Sequence, residues 1–320
     1  MALIDLIIPL YNRADMVDGL IENLEKQTFK NFRVIFVDDG STDGSYSVLL
    51  DRLTTSTLHH LVLQQENQGP SAARNFGIDH ADAQWVAFMD SDDALLPEYL
   101  DYLYKVTVDT KIQMAYCQLR MVPMGKCDES ISAGILSAEY ILAEAAMERH
   151  YSTWISPCCL LLDRQFLNEN QLRFDVHCKY CEDLMFITKC IAAAQQICEL
   201  SNILYIYFTH GGSLLRSFDT AKYLNGIEGF NRLEVDLEND ERPAAGIFHK
   251  IGYARFYLAI LRRAALQMSW KTFYMFVKET DTKIWYRQIK SLPGKQKLAG
   301  YLYRVSVRVF YRSVRMVFKD

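Results

Sequence analysis

Two aspartates separated by one residue, Asp90 and Asp92, follow the apolar run Trp85–Met89. At the end of a strand, two carboxylates at this spacing can face one hard cation, directly or through water. Oxygen ligands of this kind suit Mg²⁺ or Mn²⁺, which usually also bind substrate phosphates. Such a cation would stabilise the charge on a departing diphosphate. The alternative is an acidic helix cap continuing into Asp93, and the pair alone leaves both interpretations open.

Polar clusters also close two earlier apolar runs. A carboxylate of Asp38 or Asp39 can accept hydrogen bonds from a nucleobase N–H or a ribose hydroxyl, although Asp-Asp-Gly-Ser is equally typical of a turn with a helix cap. In the first cluster, Tyr11 offers a ring that could stack on a base, or that simply packs. Asn12 and Arg13 beside it are further candidates for binding a nucleotide.

The elements that must position these residues are short apolar runs alternating with amphipathic stretches. This alternation predicts an α/β fold with a parallel, doubly wound sheet, in which ligands bind at the carboxyl ends of the strands. No Gly-x-Gly-x-x-Gly or Gly-Lys-Ser/Thr loop is present, which disfavours classical dinucleotide and phosphate-loop sites. The predicted strands are Leu3–Leu10, Phe32–Val37, His60–Leu63 and Trp85–Met89, and the predicted helices are Asp15–Gln27, Asp43–Leu53 and Ser71–Ala81.

The second half of the sequence is less regular and becomes helical after about residue 218. We therefore expect an α/β domain over 1–215 and a helical region over 216–320. The predicted strands are Ile112–Val122, Cys158–Leu162 and Ile197–Phe208, and the predicted helices are Ser137–His150, Glu182–Ala194, Ala221–Leu237, Ala244–Leu266 and Lys271–Glu279.

Four motifs occur in a fixed order: Pro9-Leu10-Tyr11-Asn12, Val37–Asp43, Asn67–Asn75 and Met89–Asp93. Together they closely resemble glycosyltransferase family 2, whose catalytic domain has the GT-A fold, a Rossmann-like, mostly parallel sheet flanked by helices. The resemblance covers about residues 1–215. It implies an enzyme that moves a sugar from a nucleotide-diphosphate donor to a carbohydrate acceptor, usually with inversion. UDP is the expected nucleotide because it is the most frequent in the family.

The resemblance also implies roles for residues of the donor pocket. Pro9, Tyr11 and Asp39 match the family's nucleoside pocket, with Tyr11 near the base and Asp39 hydrogen-bonded to it. Asn67 and Arg74 match positions that contact the nucleotide or order its pocket.

A metal site is implied by the same resemblance. Asp90 and Asp92 match the family's Asp-x-Asp motif, with Asp92 the more direct ligand of Mn²⁺ or Mg²⁺. The segment around His210 resembles the part of the family that closes over the diphosphate. His210 is a candidate third ligand through a neutral imidazole, although a lone histidine is more often structural. Ser213 and Arg216 are candidates for binding phosphate oxygens.

An inverting transfer needs a base that takes the proton of the attacking hydroxyl. The family places this base in a Glu-Asp pair followed by an aromatic residue, which here is Glu182-Asp183 before Phe186. Asp183 is therefore the expected base, and Glu182 is expected to hold an acceptor hydroxyl or to orient the site. The alternative is that both acids only favour the first turn of a helix. Trp154 occupies a position where related enzymes often carry a tryptophan near the acceptor, and core packing explains it equally well.

Composition narrows the possible partners and location. The 320 residues are 50% apolar and 23% charged, with a net charge of −4 that gives no general case for nucleic-acid binding. Eight cysteines without a signal-like start predict reduced thiols in the cytoplasm. The pair Cys178 and Cys181 gives only weak support for a zinc or redox site, because a second pair is missing.

The charge is concentrated at the C-terminus. From Arg287 onward the net charge is +8, whereas residues 1–286 carry −12. Over Lys295–Lys319 the spacing predicts one basic amphipathic helix whose face carries four arginines, 304, 308, 312 and 315. Such a helix suits the anionic inner face of a bacterial plasma membrane and a lipid-linked glycan acceptor. The alternative is a helix packed on the catalytic domain.

Three other functions fit parts of the pattern. A transferase to a lipid phosphate would share the donor site, and a nucleotidyltransferase has a similar architecture. A non-catalytic sugar-nucleotide sensor or scaffold at the membrane is the third. Retention of both acidic pairs argues against the scaffold, which has no need of them. The expected product is a bacterial surface polysaccharide.

Overall fold

The computed structural model of the protein describes residues 2–108, 110–125, 131–151, 153, 155–209, 219–280 and 284–317. The chain divides into two compact units. The first comprises Met1–Ala146, Trp154–Val176 and Glu182–Gly211, and the second comprises Met147–Thr153, His177–Cys181 and Gly212–Asp320.

Within the described residues, nine strands of the first unit form one sheet. They are β1 (Ile4–Leu10), β2 (Phe32–Asp38), β3 (His60–Gln64), β4 (Trp85–Phe88), β5 (Ala94–Leu95), β6 (Met114–Pro123), β7 (Ala138–Leu142), β8 (Leu160–Asp163) and β9 (Gln196–Thr209). Their order is β3-β2-β1-β4-β8-β6-β9-β5, with β7 also paired to β9. The four N-terminal strands in this order are mutually parallel, as are β6 and β9, whereas the pairings of β8, β5 and β7 are antiparallel.

Strand β1 determines where the polar clusters meet, because it lies between β2 and β4. Ile4 is in register with both Phe32 and Trp85, so the three strands run side by side and end at one edge of the sheet. Their residues are almost completely buried, as expected for parallel strands covered on both faces. The predicted α/β class and the parallel first half are confirmed.

The helices up to residue 193 flank this sheet or connect its strands. They are α1 (Val17–Glu25), α2 (Ser45–Leu53), α3 (Pro70–Asp79), α4 (Tyr99–Lys105), α5 (Ala143–His150), α6 (Arg164–Glu169) and α7 (Glu182–Ala193). Helix α1 buries an apolar face of residues spaced three or four apart, namely Val17, Leu20, Ile21 and Leu24. Helix α3 begins with Pro70, whose fixed φ suits the first turn.

The prediction of a single helix over Ser137–His150 is wrong. Its first part forms β7, which pairs antiparallel with β9, and only Ala143–His150 is helical. Tyr140 and Leu142 are exposed while Ile141 is buried, which is the two-residue period of a strand. The strand predicted from Cys158 begins later, at Leu160, because a 3₁₀ turn capped by the Ser156 hydroxyl precedes it.

The second unit is helical over its described residues. It contains α8 (Thr220–Leu237), α9 (Pro243–Ile247), α10 (Tyr253–Gln267), α11 (Trp270–Thr280), α12 (Gly294–Val305) and α13 (Val307–Val317), with a π turn between α9 and α10. Aromatic side chains fill its interior: Phe230 stacks on Phe256 at 3.5 Å between ring centroids, and Trp285 is fully buried.

The prediction of one continuous helix over Lys295–Lys319 is wrong. The chain leaves the helical conformation at Ser306, with φ −159° and ψ 116°, so Arg304 lies on α12 and the other three arginines lie on α13. The Ser306 hydroxyl accepts a hydrogen bond from the N–H of Val309 and caps α13. Arg315 donates to the Met268 carbonyl oxygen at 3.2 Å, so it faces the protein.

Among the helices that the structure describes, none is both long enough and apolar enough to span a bilayer.

Candidate active site

The loops after β1 and β2 are tied together by hydrogen bonds. Asn12 adopts a left-handed conformation, with φ 50°, which its short polar side chain tolerates. Its backbone N–H donates to the Ser41 hydroxyl at 3.0 Å, and its side-chain oxygen accepts from the N–H of Thr42 at 2.8 Å. These two hydrogen bonds fix the turn that carries Tyr11 and Arg13.

The carboxylate of Asp39 organises the loop that follows β3. It accepts hydrogen bonds from the N–H groups of Gln68 at 2.9 Å and Gly69 at 2.8 Å, and from the Gln65 side chain at 2.7 Å. A carboxylate has about four acceptor positions, so one remains for a ligand. Asp39 is buried, and the nucleobase contact expected of it must coexist with these three bonds.

Close approach of two backbones also shapes this region. Gly40 has φ +72°, and a Cβ added to it would lie 2.8 Å from the backbone nitrogen of Asn67. The glycine is therefore required both by its conformation and by the space. It brings Asn67, which is exposed, beside the end of β2. At the end of the neighbouring strand β1, Tyr11 is 45% exposed and Pro9 is half-buried.

Each aspartate of the Asp-x-Asp motif is paired with an arginine. Arg13 Nη2 lies 3.2 Å from Asp92 Oδ2, and Arg74 Nη2 donates to Asp90 Oδ1 at 2.6 Å. Arg13 comes from the loop after β1 and Arg74 from α3. Four of the residues predicted for the donor site therefore form two ion pairs at one edge of the sheet.

Arg74 also faces the expected base. Its Nη1 lies 3.5 Å from Asp183 Oδ1 in the first turn of α7, and its guanidinium lies 5.2 Å from the ring centroid of Phe174. The side chain is only 5% exposed. Burial alone would lower the pKa of Arg74, but the charges of Asp90 and Asp183 raise it well above its ordinary value. A permanent buried cation thus connects the two acidic clusters.

The carboxyl group of Asp183 has a raised pKa. Burial of the carboxyl group raises its pKa to about 7; Arg74 opposes this rise, whereas the negative charges of Glu182 and Asp90 add to it. Oδ1 is buried against Arg74, but the side chain as a whole is 37% exposed, so the other oxygen remains accessible. A carboxylate with a pKa near neutrality and one open oxygen suits general base catalysis. Glu182 precedes it and is half-buried.

Tyr205 on β9 supports the Asp-x-Asp loop, a role that the sequence does not reveal. Its hydroxyl donates to Asp93 Oδ2 at 2.6 Å and accepts from the N–H of Asp90 at 3.2 Å, and the N–H of Phe208 donates to Asp93 Oδ1 at 2.9 Å. Burial and the charge of Asp90 raise the pKa of Asp93 to about 8, although the hydrogen bonds from Tyr205 and Phe208 lower it. In the local sequence, only Asp93, the third acid of Asp90-Ser91-Asp92-Asp93, points to this contact.

The carboxylates present are compatible with a hard divalent cation. The described part of the chain contains no group of three or more His, Cys, Asp or Glu side chains arranged around one metal position. Mg²⁺ and Mn²⁺ sites that use substrate phosphates commonly need only one or two carboxylates, and Asp90 and Asp92 supply two oxygen ligands of that kind.

Four predicted residues lie outside the described parts of the chain. They are Trp154, His210, Ser213 and Arg216.

Comparison with known sequences gives consistent matches. A family model described as "Glycosyl transferase family 2" matches residues 5–168. Glycosyltransferase GlyG of Streptococcus pneumoniae is 27% identical over 250 residues, which cover 72% of this chain and 79% of GlyG. Glycosyltransferase GlyA of the same organism is 28% identical over 242 residues, which cover 70% of this chain but only 33% of GlyA, so the chain spans a third of that relative's length.

The fold is similar to that of solved structures. The crystal structure of S. aureus TarS 1-349 in complex with UDP-GlcNAc has a TM-score of 0.75 and 20% identity, covering 100% of this chain and 92% of the other. Mannosyltransferase PcManGT from Pyrobaculum calidifontis, in complex with GDP-Man and Mn²⁺, has a TM-score of 0.55 and 15% identity, covering 95% and 87%. These likenesses confirm the fold class that the sequence predicts.

Proposed function

Because the chain belongs to glycosyltransferase family 2, we propose that it transfers a sugar from a UDP-sugar to a carbohydrate acceptor, with inversion at the anomeric carbon. The observation that carries the proposal is the position of Arg74, which pairs with Asp90 of the Asp-x-Asp motif and faces Asp183. The arrangement brings the groups expected at the leaving diphosphate next to the group expected at the attacking hydroxyl.

The donor side is supported by two observations. One acceptor position of the Asp39 carboxylate remains for a base N–H, and the exposed ring of Tyr11 follows the neighbouring strand. The TarS structure with a similar fold contains UDP-GlcNAc. We infer that the nucleoside lies over the ends of β1 and β2, with its diphosphate directed toward the end of β4.

On the acceptor side, Asp183 would accept the proton of the attacking hydroxyl through its open oxygen. Arg74 Nη1 lies 3.5 Å from the other oxygen without a hydrogen bond, and its charge would favour this orientation of the carboxylate. Glu182, in the same helical turn, would accept a hydrogen bond from a second acceptor hydroxyl. Inversion follows from direct attack of the acceptor on C1 with a single displacement.

On the leaving side, Asp92 and Asp90 would hold Mn²⁺ or Mg²⁺, which supplies charge stabilisation for the departing UDP. Arg13 and Arg74 orient the two carboxylates through their ion pairs. On this basis we assign catalysis to the first unit, and we propose a catalytic domain over 1–215 followed by a helical region over 216–320.

The test of the donor site is thermal unfolding with UDP, GDP, CMP and dTDP, each with and without Mn²⁺. A ligand that binds only the folded state raises its stability by mass action. A Mn²⁺-dependent rise with UDP alone supports the proposal, and release of UDP from UDP-GlcNAc then tests turnover. Release of pyrophosphate from a sugar phosphate and a nucleoside triphosphate would instead indicate a nucleotidyltransferase.

A lipid-linked acceptor and peripheral contact with an anionic membrane form the second part of the proposal. Leu298, Tyr301 and Val305 are exposed on α12 at helical spacing, and Val305 reaches 83% exposure. No acidic residue occurs between Arg287 and Lys319, whereas basic residues are interspersed throughout. Exposed apolar side chains among cations are typical of helices that bind an anionic bilayer surface.

Vesicle sedimentation tests this contact. Val305→Glu should reduce binding to phosphatidylglycerol vesicles severalfold, because it places a negative charge within the exposed apolar row. Val235→Glu on α8 is the matched control, since that valine is also well exposed, at 67%. Equal loss in both variants, or no binding by the unmodified protein, would reject the contact.

A further inference from the structure

A half-buried arginine of the second unit has no acidic partner among the residues that the structure describes. Arg263 on α10 donates through Nη1 to the hydroxyls of Tyr180 at 3.2 Å and Tyr223 at 3.4 Å. Among the described residues, no carboxylate lies within ion-pair distance of it, and both of its hydrogen bonds are to the two tyrosines. Burial would lower the pKa of Arg263, but the hydrogen bonds to the tyrosines more than offset this effect and raise it.

The hydrogen bonds to the two tyrosines engage only one nitrogen of the Arg263 guanidinium. A guanidinium has five N–H donors in a planar fork, and the two tyrosines engage only Nη1. Among the described residues neither Nε nor Nη2 has a hydrogen-bond partner, and neither atom is fully buried. Such an open edge matches two oxygens of a phosphate or carboxylate.

The tyrosines are themselves held rigidly. The rings of Tyr180 and Tyr223 lie 4.5 Å apart, and a Cβ added to Gly226 would lie 2.7 Å from Tyr180 Cδ1, so Tyr180 packs directly on the backbone of α8. Asn225 fixes the same segment, because its side chain accepts from the N–H of Lys179 at 2.6 Å and donates to the His177 carbonyl oxygen at 2.8 Å. The fork of Arg263 is therefore preorganised.

A second cation lies beside the fork. Lys222 Nζ is 5.8 Å from the ring centroid of Tyr180. The carboxylate of Asp219 caps α8 and accepts from the backbone N–H of Lys222 at 3.4 Å, but among the described residues neither Arg263 nor the Lys222 ammonium forms an ion pair with it. Two half-buried cations beside two aromatic rings are unusual without such a pair, because a buried charge is normally paired.

We propose that Arg263, supported by Tyr180 and Tyr223 and assisted by Lys222, binds a phosphate group carried by the acceptor. The open edge of the guanidinium binds two phosphate oxygens, and a sugar or polyol unit of the acceptor lies against the Tyr180 ring. In the sequence, Tyr180 is three residues before Asp183. The inference rests on the proposed function for the identity of the acceptor, and it restricts the acceptor to an anionic, phosphate-bearing glycan or polyol.

Binding is tested with glycerol 3-phosphate as the probe and neutral glycerol as its counterpart. Dissociation constants are measured by isothermal titration calorimetry at constant ionic strength. In the unmodified protein, a shift of the arginine Nε–Hε NMR signal that is missing in Arg263→Gln locates the bound phosphate at Arg263. We expect saturable binding of the phosphate and none of glycerol. Arg263→Gln should weaken binding roughly tenfold or more, which is the loss expected for a charge-assisted hydrogen bond. Arg263→Lys should fall between them, because it keeps the charge but loses the fork.

Arg312→Gln is the matched control, since it removes the same charge from an exposed position of α13. It should change the dissociation constant less than twofold; an equal loss in both variants, or the absence of saturation in the unmodified protein, overturns the proposal. Displacement of glycerol 3-phosphate by UDP with Mn²⁺ also overturns it, because the group would then bind the donor. UDP release from UDP-GlcNAc, measured in parallel, reports on the proposed function separately, since phosphate binding does not require turnover.

Discussion

Arg74 Nη1 and Asp183 Oδ1 lie 3.5 Å apart, although 109 positions separate the two residues in the chain. The same guanidinium donates to Asp90 at 2.6 Å, so one buried cation holds a carboxylate of each acidic cluster. An arginine in this position opposes the cost of burying Asp183 and limits how far its pKa rises. The pairing makes the protonation state of Asp183 dependent on its neighbours, which gives the first two predictions.

Replacing Asp183 by Asn should abolish transfer while the donor still binds. The amide has nearly the same shape but cannot accept the proton of the attacking hydroxyl, so we expect kcat to fall about 10²–10⁴-fold, the range for loss of a general base. The UDP-induced rise in unfolding temperature should persist. If the nucleotide response disappears together with activity, Asp183 has a structural role in the donor site.

Activity should rise with pH through about 7. Asp183 accepts a proton only as the carboxylate, and its raised pKa keeps much of it protonated below that pH. The acidic limb of the pH profile of kcat/KM should therefore have its midpoint near 7, with a plateau above. Glu182→Gln removes a negative charge that raises this pKa, so the limb should move to lower pH. A limb that stays in place in Glu182→Gln would mean that another group titrates.

Asp92→Asn should remove the metal dependence of nucleotide binding. The substitution keeps the size of the side chain and loses the negative charge that a hard cation requires. We expect the Mn²⁺-dependent part of the UDP-induced rise in unfolding temperature to vanish, leaving any metal-independent part. Asp79→Asn is a suitable control, because Asp79 is half-exposed in an ion pair with Arg173 and has no part in the proposed site. Full activity in the presence of a chelator would reject the metal in the proposal.

The first half of the fold could be predicted because its signals are local. The sequence predicts a strand over Phe32–Val37, and the structure has a strand over Phe32–Asp38. The prediction succeeds because a short, continuous apolar run between turn residues is typical of a buried strand. The sequence predicts a helix over Ser137–His150 because Ala138, Ile141 and Ala145 are spaced three and four apart, as on one face of a helix. What makes Ala138–Leu142 a strand is β9, about sixty residues later, which no local pattern reveals.

The C-terminal break and the supporting contacts of the site were hidden for similar reasons. Serine is tolerated inside a helix and is also favoured as a cap. The arginines keep helical spacing on both sides of Ser306, so the sequence does not reveal that the helix ends there. The acids of the site were recognised by type and order. Their partners, such as Tyr205 for Asp93 across 112 positions, depend on tertiary structure.

Tyr205→Phe should weaken nucleotide binding through the Asp-x-Asp loop. It removes the hydroxyl that donates to Asp93 and accepts from the N–H of Asp90. Leaving these buried groups with fewer partners costs about 1–3 kcal/mol, so both the unfolding temperature and the affinity for UDP with Mn²⁺ should fall.

Tyr99→Phe is the control for this variant. Tyr99 is equally buried, and its hydroxyl donates to the Cys158 carbonyl oxygen at 2.7 Å, with no hydrogen bond to the Asp90–Asp93 loop. It should lower stability and leave nucleotide affinity unchanged. Equal loss of affinity in the two variants would mean that the effect reflects general destabilisation.

Two glycine substitutions should change stability in opposite directions. A Cβ at Gly77 in α3 would overlap Ile7 of β1, and the side chain of a core strand cannot move away. Gly77→Ala should therefore destabilise the protein by about 1–3 kcal/mol, as overpacking does. Gly19 in α1 has nothing within 4 Å of an added Cβ, so Gly19→Ala should stabilise by about 0.5–1 kcal/mol through helix propensity. Thermal unfolding of both variants measures the difference, and an unchanged midpoint for Gly77→Ala would contradict the close packing of α3 on β1.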